Sequence, residues 1–172
     1  MHFLLILLIA TVAIAETPAR LRRSESVLVR AVKNGDTVDV EAIGRVHLLG
    51  IAAPKVGPGS GTALFGRQAR DRLADLVLHH WVRLEYEGNP LGGFSRRAAY
   101  LWREDGVFVN VVLVREGLAR VSSRLPLVRL TELQGAEDDA RTSRRGIWGT
   151  TSERPLETVE ITRHKVVKRA RH

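Results

Sequence analysis

Apolar and polar residues alternate over several short stretches of the chain, as they do in strands that are buried on one face. Two of these stretches flank the turn signal Asn34-Gly35-Asp36, which predicts a hairpin. The segment Val46–Ile51 is apolar enough to form a largely buried strand. The predicted strands are 27–29, 38–40, 46–51, 82–86 and 98–102.

In three other segments the apolar residues recur at helical spacing. Between Thr62 and Leu78 the charged residues occupy the rest of the helical wheel, which predicts an amphipathic helix that lies on a core. A short helix over 110–116 is expected to end at Gly117. A third helix is predicted over 130–144. Taken alone, the periodicity supports an α+β protein and no finer fold class.

Several motifs follow one another in a fixed order. They are Gly35-Asp36-Thr37, Val46-His47-Leu48-Leu49-Gly50-Ile51-Ala52-Ala53-Pro54-Lys55, Phe94-Ser95-Arg96-Arg97-Ala98-Ala99-Tyr100, Leu113–Val121 and Gly146-Ile147-Trp148. Their order and spacing resemble the staphylococcal nuclease family over residues 26–149. The resemblance implies that family's fold, a five-stranded OB-fold Greek-key β-barrel with about three helices.

The resemblance also implies a site. In the family's working enzymes two aspartates hold a calcium ion, two arginines clamp the phosphate, and a glutamate serves the attacking water. Position by position, Asp36 matches the first calcium carboxylate and Arg96 matches a catalytic, phosphate-binding arginine. The other positions are exchanged: Ala52 replaces the second carboxylate, His47 replaces the other arginine, and Lys55 replaces the glutamate.

These exchanges alter the expected chemistry. Calcium takes about six to eight oxygen ligands, so one carboxylate with carbonyls and water should bind it poorly. A neutral imidazole at position 47 offers one donor where a guanidinium offers a charged fork. The ammonium of Lys55 has no lone pair to accept a proton from water, and loss of a general base costs about 10² to 10⁴ in rate. No Asp or Glu occurs from Ala42 through Arg70, so a shifted alignment cannot supply the carboxylates.

Each candidate residue also has a plainer interpretation. Asp36 could hold its turn by bonding its own backbone, as Asp often does. His47 could be a half-buried strand histidine bonded to a backbone carbonyl, and Arg96 an exposed charge in a basic loop. Arg45 lies two residues before His47 and therefore on the same face of the strand, where it could offer a displaced cation that binds phosphate, as could Lys55.

Charge and composition limit the partners and the kinds of site that this chain can have. The chain carries 27 Lys and Arg against 19 Asp and Glu, a formal net charge of +8, which favours polyanionic partners without choosing among them. The chain has no Cys, which excludes a thiolate-ligated metal and a thiol nucleophile. Trp81, Trp102 and Trp148 are expected to be core or core-edge aromatics.

The two ends of the chain have compositions that differ from that of the central domain. Residues 1–15 hold an apolar run that is too short to span a bilayer and ends in Ala13-Ile14-Ala15, which predicts a signal peptide and export to the periplasm or the medium. An uncleaved anchor is the alternative. Residues 16–25 are expected to form a flexible lead, 26–149 the domain, and 150–172 a disordered basic tail. The tail would serve as a solubility tag or as a contact arm for a polyanion.

Three hypotheses remain. In the first, an exported, monomeric family member has lost phosphodiesterase activity, or retains much less of it, needs no cofactor, and binds nucleic acid or another anionic polymer. In the second, it is a weak or repurposed calcium-dependent endonuclease for DNA or RNA, in which Asp39 or Glu41 completes a metal site. In the third, it is an accessory protein of envelope or exopolysaccharide assembly.

Overall fold

The computed structural model describes residues 21–56, 63–88, 97–123 and 126–149. Its strands are β1 (Leu21–Arg23), β2 (Val27–Asn34), β3 (Thr37–Val40), β4 (Gly44–Leu48), β5 (Ile51–Ala52), β6 (Trp81–Glu87), β7 (Ala98–Arg103) and β8 (Arg120–Val121). Its helices are α1 (Ala63–Val77), α2 (Val109–Arg115) and α3 (Leu130–Thr142), followed by a 3-10 helix, Gly146–Trp148. The predicted signal peptide and basic tail lie outside the described residues.

Five strands close into a barrel in the order β6-β2-β3-β4-β7, with β7 pairing back onto β6. Neighbouring strands are antiparallel except β4 and β7, which are parallel. The prediction of an α+β fold built on a five-stranded OB-type barrel with three helices is confirmed. Among the described residues, no helix is both long and apolar enough to cross a bilayer.

The barrel interior is filled by aliphatic side chains from alternate strand positions. In β4, Val46 and Leu48 are buried, whereas Arg45 and His47 are exposed, because successive side chains of a strand point to opposite faces. Burial of each such Val or Leu contributes about 1.5 to 3 kcal/mol. Helix α1 adds Leu73 to the same core. The core therefore fixes which face of β4 carries Arg45 and His47.

The predicted third strand over 46–51 is interrupted. Strand β4 ends at Leu48, and the chain turns at Gly50 before the short strand β5. Gly50 has a φ of +79°, which favours glycine, and a Cβ there would lie 2.7 Å from the Cδ1 atom of Leu133. Because of this turn, β5 leaves the barrel and pairs with β8, with Ala52 opposite Arg120.

Strand β1 lies in the segment 16–25 that was expected to be a flexible lead, so the expectation fails for Leu21–Arg23. These residues pair with the end of β6. The N–H of Ser24 donates to the carbonyl of Leu84 at 2.8 Å, and the Ser24 hydroxyl accepts from the Leu84 N–H at 3.0 Å. Polar residues are ordered here because their bonding partners lie on β6, sixty residues away in the chain.

Trp81 departs from expectation, because it is 53% exposed and not part of the core or its edge. It is the first residue of β6, and the following residue, Val82, is the one that points inward. Trp102 is partly buried and packs against the core, as expected. Trp148 is also half-buried, with the guanidinium carbon of Arg141 4.3 Å from its ring centroid.

An ionised side chain that the sequence analysis did not single out lies inside the fold. Glu85 is 1% exposed and accepts hydrogen bonds from Arg129 at 2.6 Å and Arg23 at 2.8 Å. The guanidinium of Arg129 lies 4.8 Å from the Trp102 ring, which stacks on Phe108. Burial alone would raise the pKa of Glu85, but the bonds from Arg129 and Arg23 outweigh it and leave that pKa lowered. We call these five residues the Glu85 cluster.

Candidate anion-binding site

Three segments meet at one end of the barrel. The β2–β3 turn supplies Asp36, the exposed face of β4 supplies His47, and the segment after β5 supplies Lys55. Thr37 lies opposite His47 in the β3–β4 pair, and the carbonyl of Asp36 accepts from the Leu48 N–H at 2.8 Å. The structure therefore brings the sequence-predicted positions of the turn and of β4 together. Arg96 lies outside the described residues.

The carboxylate of Asp36 already bonds the chain through both of its oxygens. Its Oδ1 accepts from the Thr37 hydroxyl at 2.8 Å, and its Oδ2 accepts from the backbone N–H of Ala53 at 2.9 Å. The Asp36 N–H donates to Oδ1 of Asn34 at 3.2 Å, which holds the turn. The carboxylate thus ties the β2–β3 turn to the segment after β5.

The residues at this end of the barrel do not fit a calcium ion. Ala52, at the second carboxylate position, is an exposed methyl side chain that offers no side-chain oxygen. In the part of the chain that the structure describes, no three or more His, Cys, Asp or Glu side chains form a group able to hold a metal. The carboxylate of Asp36 would have to share its oxygens with donors that it already bonds. Calcium needs several charged oxygens, so this set would hold it weakly.

The carboxylates that could have completed a metal site are bonded to cations. Asp39 pairs with Lys33 at 2.8 Å and with Arg45 at 3.6 Å. The hydrogen bond from Lys33 is the largest influence that lowers the pKa of Asp39. Glu41 pairs with Arg30. Neither carboxylate joins Asp36 in a group able to hold a metal within the described ranges.

His47 is exposed, so its interpretation as a half-buried histidine bonded to a carbonyl is wrong. Its ring Nδ1 lies 2.9 Å from the hydroxyl oxygen of Thr37. Its backbone N–H donates to the carbonyl of Arg97 at 2.8 Å, in the residue that follows Arg96 in the sequence. The imidazole therefore stands at the surface with one nitrogen bonded to Thr37 of β3. We call Asp36, Arg45, His47 and Lys55 together the rim. Arg45 is exposed on the same face of β4, as predicted.

Helix α1 fixes the backbone before Lys55. A Cβ on Gly66 would lie 2.7 Å from the carbonyl oxygens of both Pro54 and Lys55. A Cβ on Gly35 would lie 2.4 Å from the Cβ of Ala69 in α1. These close approaches need residues without side chains, so the helix, the turn and the Lys55 segment pack as one unit. Lys55 is exposed and makes no ion pair with any other described residue.

The arrangement can hold an anion more readily than it can activate water. An ammonium at Lys55 and a guanidinium at Arg45 supply positive charge on the rim. The carboxylate at Asp36 already accepts a hydrogen bond at each oxygen, one from a hydroxyl and one from a backbone N–H. The sequence did not indicate that the Thr37 hydroxyl connects Asp36 to His47, although Thr37 belongs to the Gly-Asp-Thr motif.

Several known proteins are similar to this chain in sequence. The family model described as "Staphylococcal nuclease homologue" matches residues 45–150. A thermonuclease of Staphylococcus intermedius is 34% identical over 131 residues, covering 73% of this chain and 77% of that protein. A thermonuclease of Staphylococcus hyicus is 30% identical over 122 residues, covering 68% and 72%. A micrococcal nuclease of Shigella flexneri is 30% identical over 127 residues, covering 68% and 70%.

Proposed function

The chain belongs to the staphylococcal nuclease family, and from this premise we propose that it is a nucleic-acid-binding member with little or no calcium-dependent phosphodiesterase activity. The ligand is nucleic acid or, less specifically, an anionic polymer. Binding of an anion needs cations and donors, which the rim supplies. Hydrolysis also needs a gathered metal ion or another electrophile and a base for water, which the exchanged positions no longer offer.

One observation carries the proposal. The carboxylate of Asp36 is bonded through one oxygen by Thr37 and through the other by Ala53, while the neighbouring position 52 is an alanine. The group that matches the first calcium carboxylate thus serves as a connection within the fold. With Lys55 in place of the glutamate, the site has more positive charge and fewer oxygen ligands than the family pattern.

The proposed anion contacts are Arg96, Lys55 and Arg45, and His47 is exposed on the same face of β4 as Arg45. Arg96 matches the family's phosphate-clamping arginine in the sequence motif. Lys55 is exposed and unpaired among the described residues, so its ammonium is available to a phosphate. Arg45 is the weaker contact, because its Nε atom already lies 3.6 Å from the Oδ1 atom of Asp39 and forms an ion pair with it. A polyanion held this way binds less tightly as salt rises.

We also propose that the protein is exported. The support is the apolar run that ends in Ala13-Ile14-Ala15, followed by the domain from residue 26 to 149. The basic residues of 150–172 would add electrostatic attraction to a polyanion. The exported form would be a monomer. Mass spectrometry of the secreted protein tests the cleavage after Ala15, and an N-terminus at Met1 would contradict it.

The function is tested with the chain from residue 16 and a fluorescent single-stranded DNA, in calcium and then in EGTA. We expect salt-sensitive binding in both, and no cleavage above background. Arg96→Ala should weaken binding by about 10- to 150-fold, since a charge-assisted bond contributes about 1.5 to 3 kcal/mol. Arg67→Ala, an exposed arginine of α1, is the matched control and should bind as the parent does. Calcium-dependent cleavage that Arg96→Ala abolishes would overturn the proposal.

A weak or repurposed nuclease is the second candidate, favoured by the relatives named thermonuclease and micrococcal nuclease. Calorimetry distinguishes it, because this candidate requires tight calcium binding that is lost in Asp36→Ala. The role in envelope or exopolysaccharide assembly has no comparable observation behind it. Competition by an acidic glycan against DNA tests that role directly.

A further inference from the structure

The hydrogen bonds around Thr37 determine which nitrogen of His47 carries a proton. The Thr37 hydroxyl has one hydrogen, and its oxygen lies 2.8 Å from Oδ1 of Asp36 and 2.9 Å from Nδ1 of His47. An ionised carboxylate only accepts, so the hydroxyl hydrogen goes to Asp36. The Thr37 oxygen must then accept from the ring. His47 therefore carries its hydrogen on Nδ1.

In the neutral imidazole the other nitrogen, Nε2, then bears the lone pair. His47 is exposed, and no described residue bonds its Nε2. The exposed face of β4 consequently presents a hydrogen-bond acceptor at His47, on the same face as the cationic Arg45. An acceptor repels a bare phosphate oxygen, but it attracts a hydroxyl that the ligand carries close to its phosphate. The site as built is therefore better matched to an anion that has a neighbouring O–H group.

We propose that His47 selects RNA over DNA by accepting a hydrogen bond from a ribose 2′-hydroxyl at Nε2, while the exposed cations of Arg45 and Lys55 hold the phosphate. This inference rests on the proposed nucleic-acid binding and names the ligand class for that site. The 2′-hydroxyl is the group by which a protein distinguishes the two polymers. Acidic glycans also carry hydroxyls, but the family match and the named nucleases favour nucleic acid.

Thr37 is a positioning residue in this scheme. It is 2% exposed, and its hydroxyl connects the carboxylate of Asp36 to the ring of His47. Without the hydroxyl, the ring would lose the acceptor that holds the hydrogen on Nδ1. Both tautomers would then be populated, and part of the population would present a donor at Nε2.

The tautomer is observed directly by long-range ¹H–¹⁵N correlation spectroscopy of the histidine rings, at a pH where His47 is neutral. We expect the Nδ1–H form in the parent and a mixture in Thr37→Val. Thr37→Ser keeps the hydroxyl and should keep the Nδ1–H form. The thermal unfolding midpoint of each variant shows that it is folded. A parent whose hydrogen sits on Nε2 would overturn the inference.

Selectivity is measured with three oligonucleotides of one sequence: RNA, DNA and 2′-fluoro RNA. The fluoro form keeps a ribose-like sugar pucker and lacks the donor. One net hydrogen bond corresponds to about a two- to tenfold difference in Kd, so RNA should bind about that much more tightly than the other two. In His47→Ala the ratio should fall close to one. Thr37→Val should reduce the ratio, Thr37→Ser should preserve it, and the exposed Arg67→Ala should leave it unchanged.

Failure of the inference and failure of the proposed function give different results. If neither RNA nor DNA binds, the proposed function fails. If both bind and the RNA to DNA ratio is one, or if the ratio persists in His47→Ala, the function stands and the role of His47 is wrong. If an acidic glycan displaces RNA at a lower concentration than DNA does, the class of ligand is wrong.

Discussion

Two carboxylates in this barrel have hydrogen-bond donors of opposite kinds, charged for Glu85 and uncharged for Asp36. Glu85 is 1% exposed and bonded by the guanidinium groups of Arg129 and Arg23. Asp36 lies at the rim and is bonded by a hydroxyl and a backbone N–H, both uncharged donors. In the Glu85 cluster the chain supplies both the buried carboxylate and the guanidinium groups that pair with it. At the rim, Lys55 is exposed and has no ion-pair partner among the described residues, and we propose it as a contact for an external anion.

The residues that stabilise the fold through Glu85 are therefore different from the residues proposed to bind an anion. Arg129 contributes to stability through Glu85 and through the faces of Trp102 and Phe108. None of these residues belongs to the rim. Substitutions in regions that share no partner usually have additive effects, so each region can be changed while the other serves as its control.

Restoring the family residues should convert the rim into a catalytic site. The triple variant His47→Arg, Ala52→Asp, Lys55→Glu regains the second carboxylate, the phosphate clamp and the base. We expect calcium-dependent cleavage of single-stranded DNA to rise by at least about 10² over the parent, the lower end of a general base's contribution. A fluorescence-quench assay in calcium and EGTA measures the change.

The matched control adds Asp36→Ala to the triple variant, which should remove the gain by deleting a metal ligand. The unfolding free energy of the triple variant should respond to Glu85→Gln as the parent's does. A triple variant that is folded, binds DNA and shows no calcium-dependent cleavage would show that the exchanged positions are not what limits catalysis.

Replacing each carboxylate by its amide compares the two regions with one chemical change. Glu85→Gln leaves Arg129 and Arg23 without their buried counter-charge, and should lower the free energy of unfolding by about 3 kcal/mol. Asp36→Asn retains one acceptor oxygen and should cost about 1 kcal/mol. Urea denaturation measures both, with Arg67→Ala as an exposed control. Equal costs would mean that the Asp36 bonds matter as much to the fold as the buried ion pairs.

Gly66→Ala should disturb the rim and leave the Glu85 cluster unchanged. The added Cβ would lie 2.7 Å from the carbonyl oxygens of Pro54 and Lys55, so the segment carrying Lys55 must shift. We expect a loss of about 1 kcal/mol in stability, reduced by alanine's better helix propensity, and weaker DNA binding. Gly135→Ala in α3 is the control, because nothing lies within 4 Å of a Cβ there. Equal binding by both variants would show that α1 does not position Lys55.

The pH dependence of stability should follow the Glu85 cluster. The folded-state pKa of Glu85 lies below its ordinary value of 4.5, so its contribution is present above about pH 4.5 and is lost as pH falls towards the lowered pKa. Urea denaturation from pH 6 to pH 3 should show this fall, and Glu85→Gln should flatten it. An unchanged slope in the variant would assign the acid sensitivity to other carboxylates.

The resemblance of the motifs was sufficient to predict the barrel, whereas nothing in the sequence indicated the Glu85 cluster. The alternation at Val46 and Leu48 is a local signal, and it correctly predicted which face of β4 is buried. The helical spacing around Leu73 is also local, and it correctly predicted the buried face of α1. Glu85 and Arg129 are 44 residues apart, and neither belongs to a local pattern, so only the closed fold reveals that they touch. Strand β1 was missed for the same reason, because its polar residues are ordered by partners on β6.

At the rim, sequence identified which residues are exchanged but not how they bond. The substitutions at positions 47, 52 and 55 can be seen in the motif, and the alternation in β4 placed Arg45 beside His47. The bond from Ala53 to Asp36 depends on where the segment after β5 turns, which follows from Gly50 and from the packing of α1. Trp81 misled the sequence analysis because a tryptophan at a strand's first position need not point inward.

Strand β1 has a consequence for how copies of the protein meet. It extends the sheet beyond the barrel by three residues, and two of them, Arg22 and Arg23, are exposed. A short edge that carries positive charge is a poor template for a strand from another molecule. Among the described strands the barrel pairings are closed on themselves, so this brief cationic edge would help concentrated solutions to resist edge-to-edge aggregation.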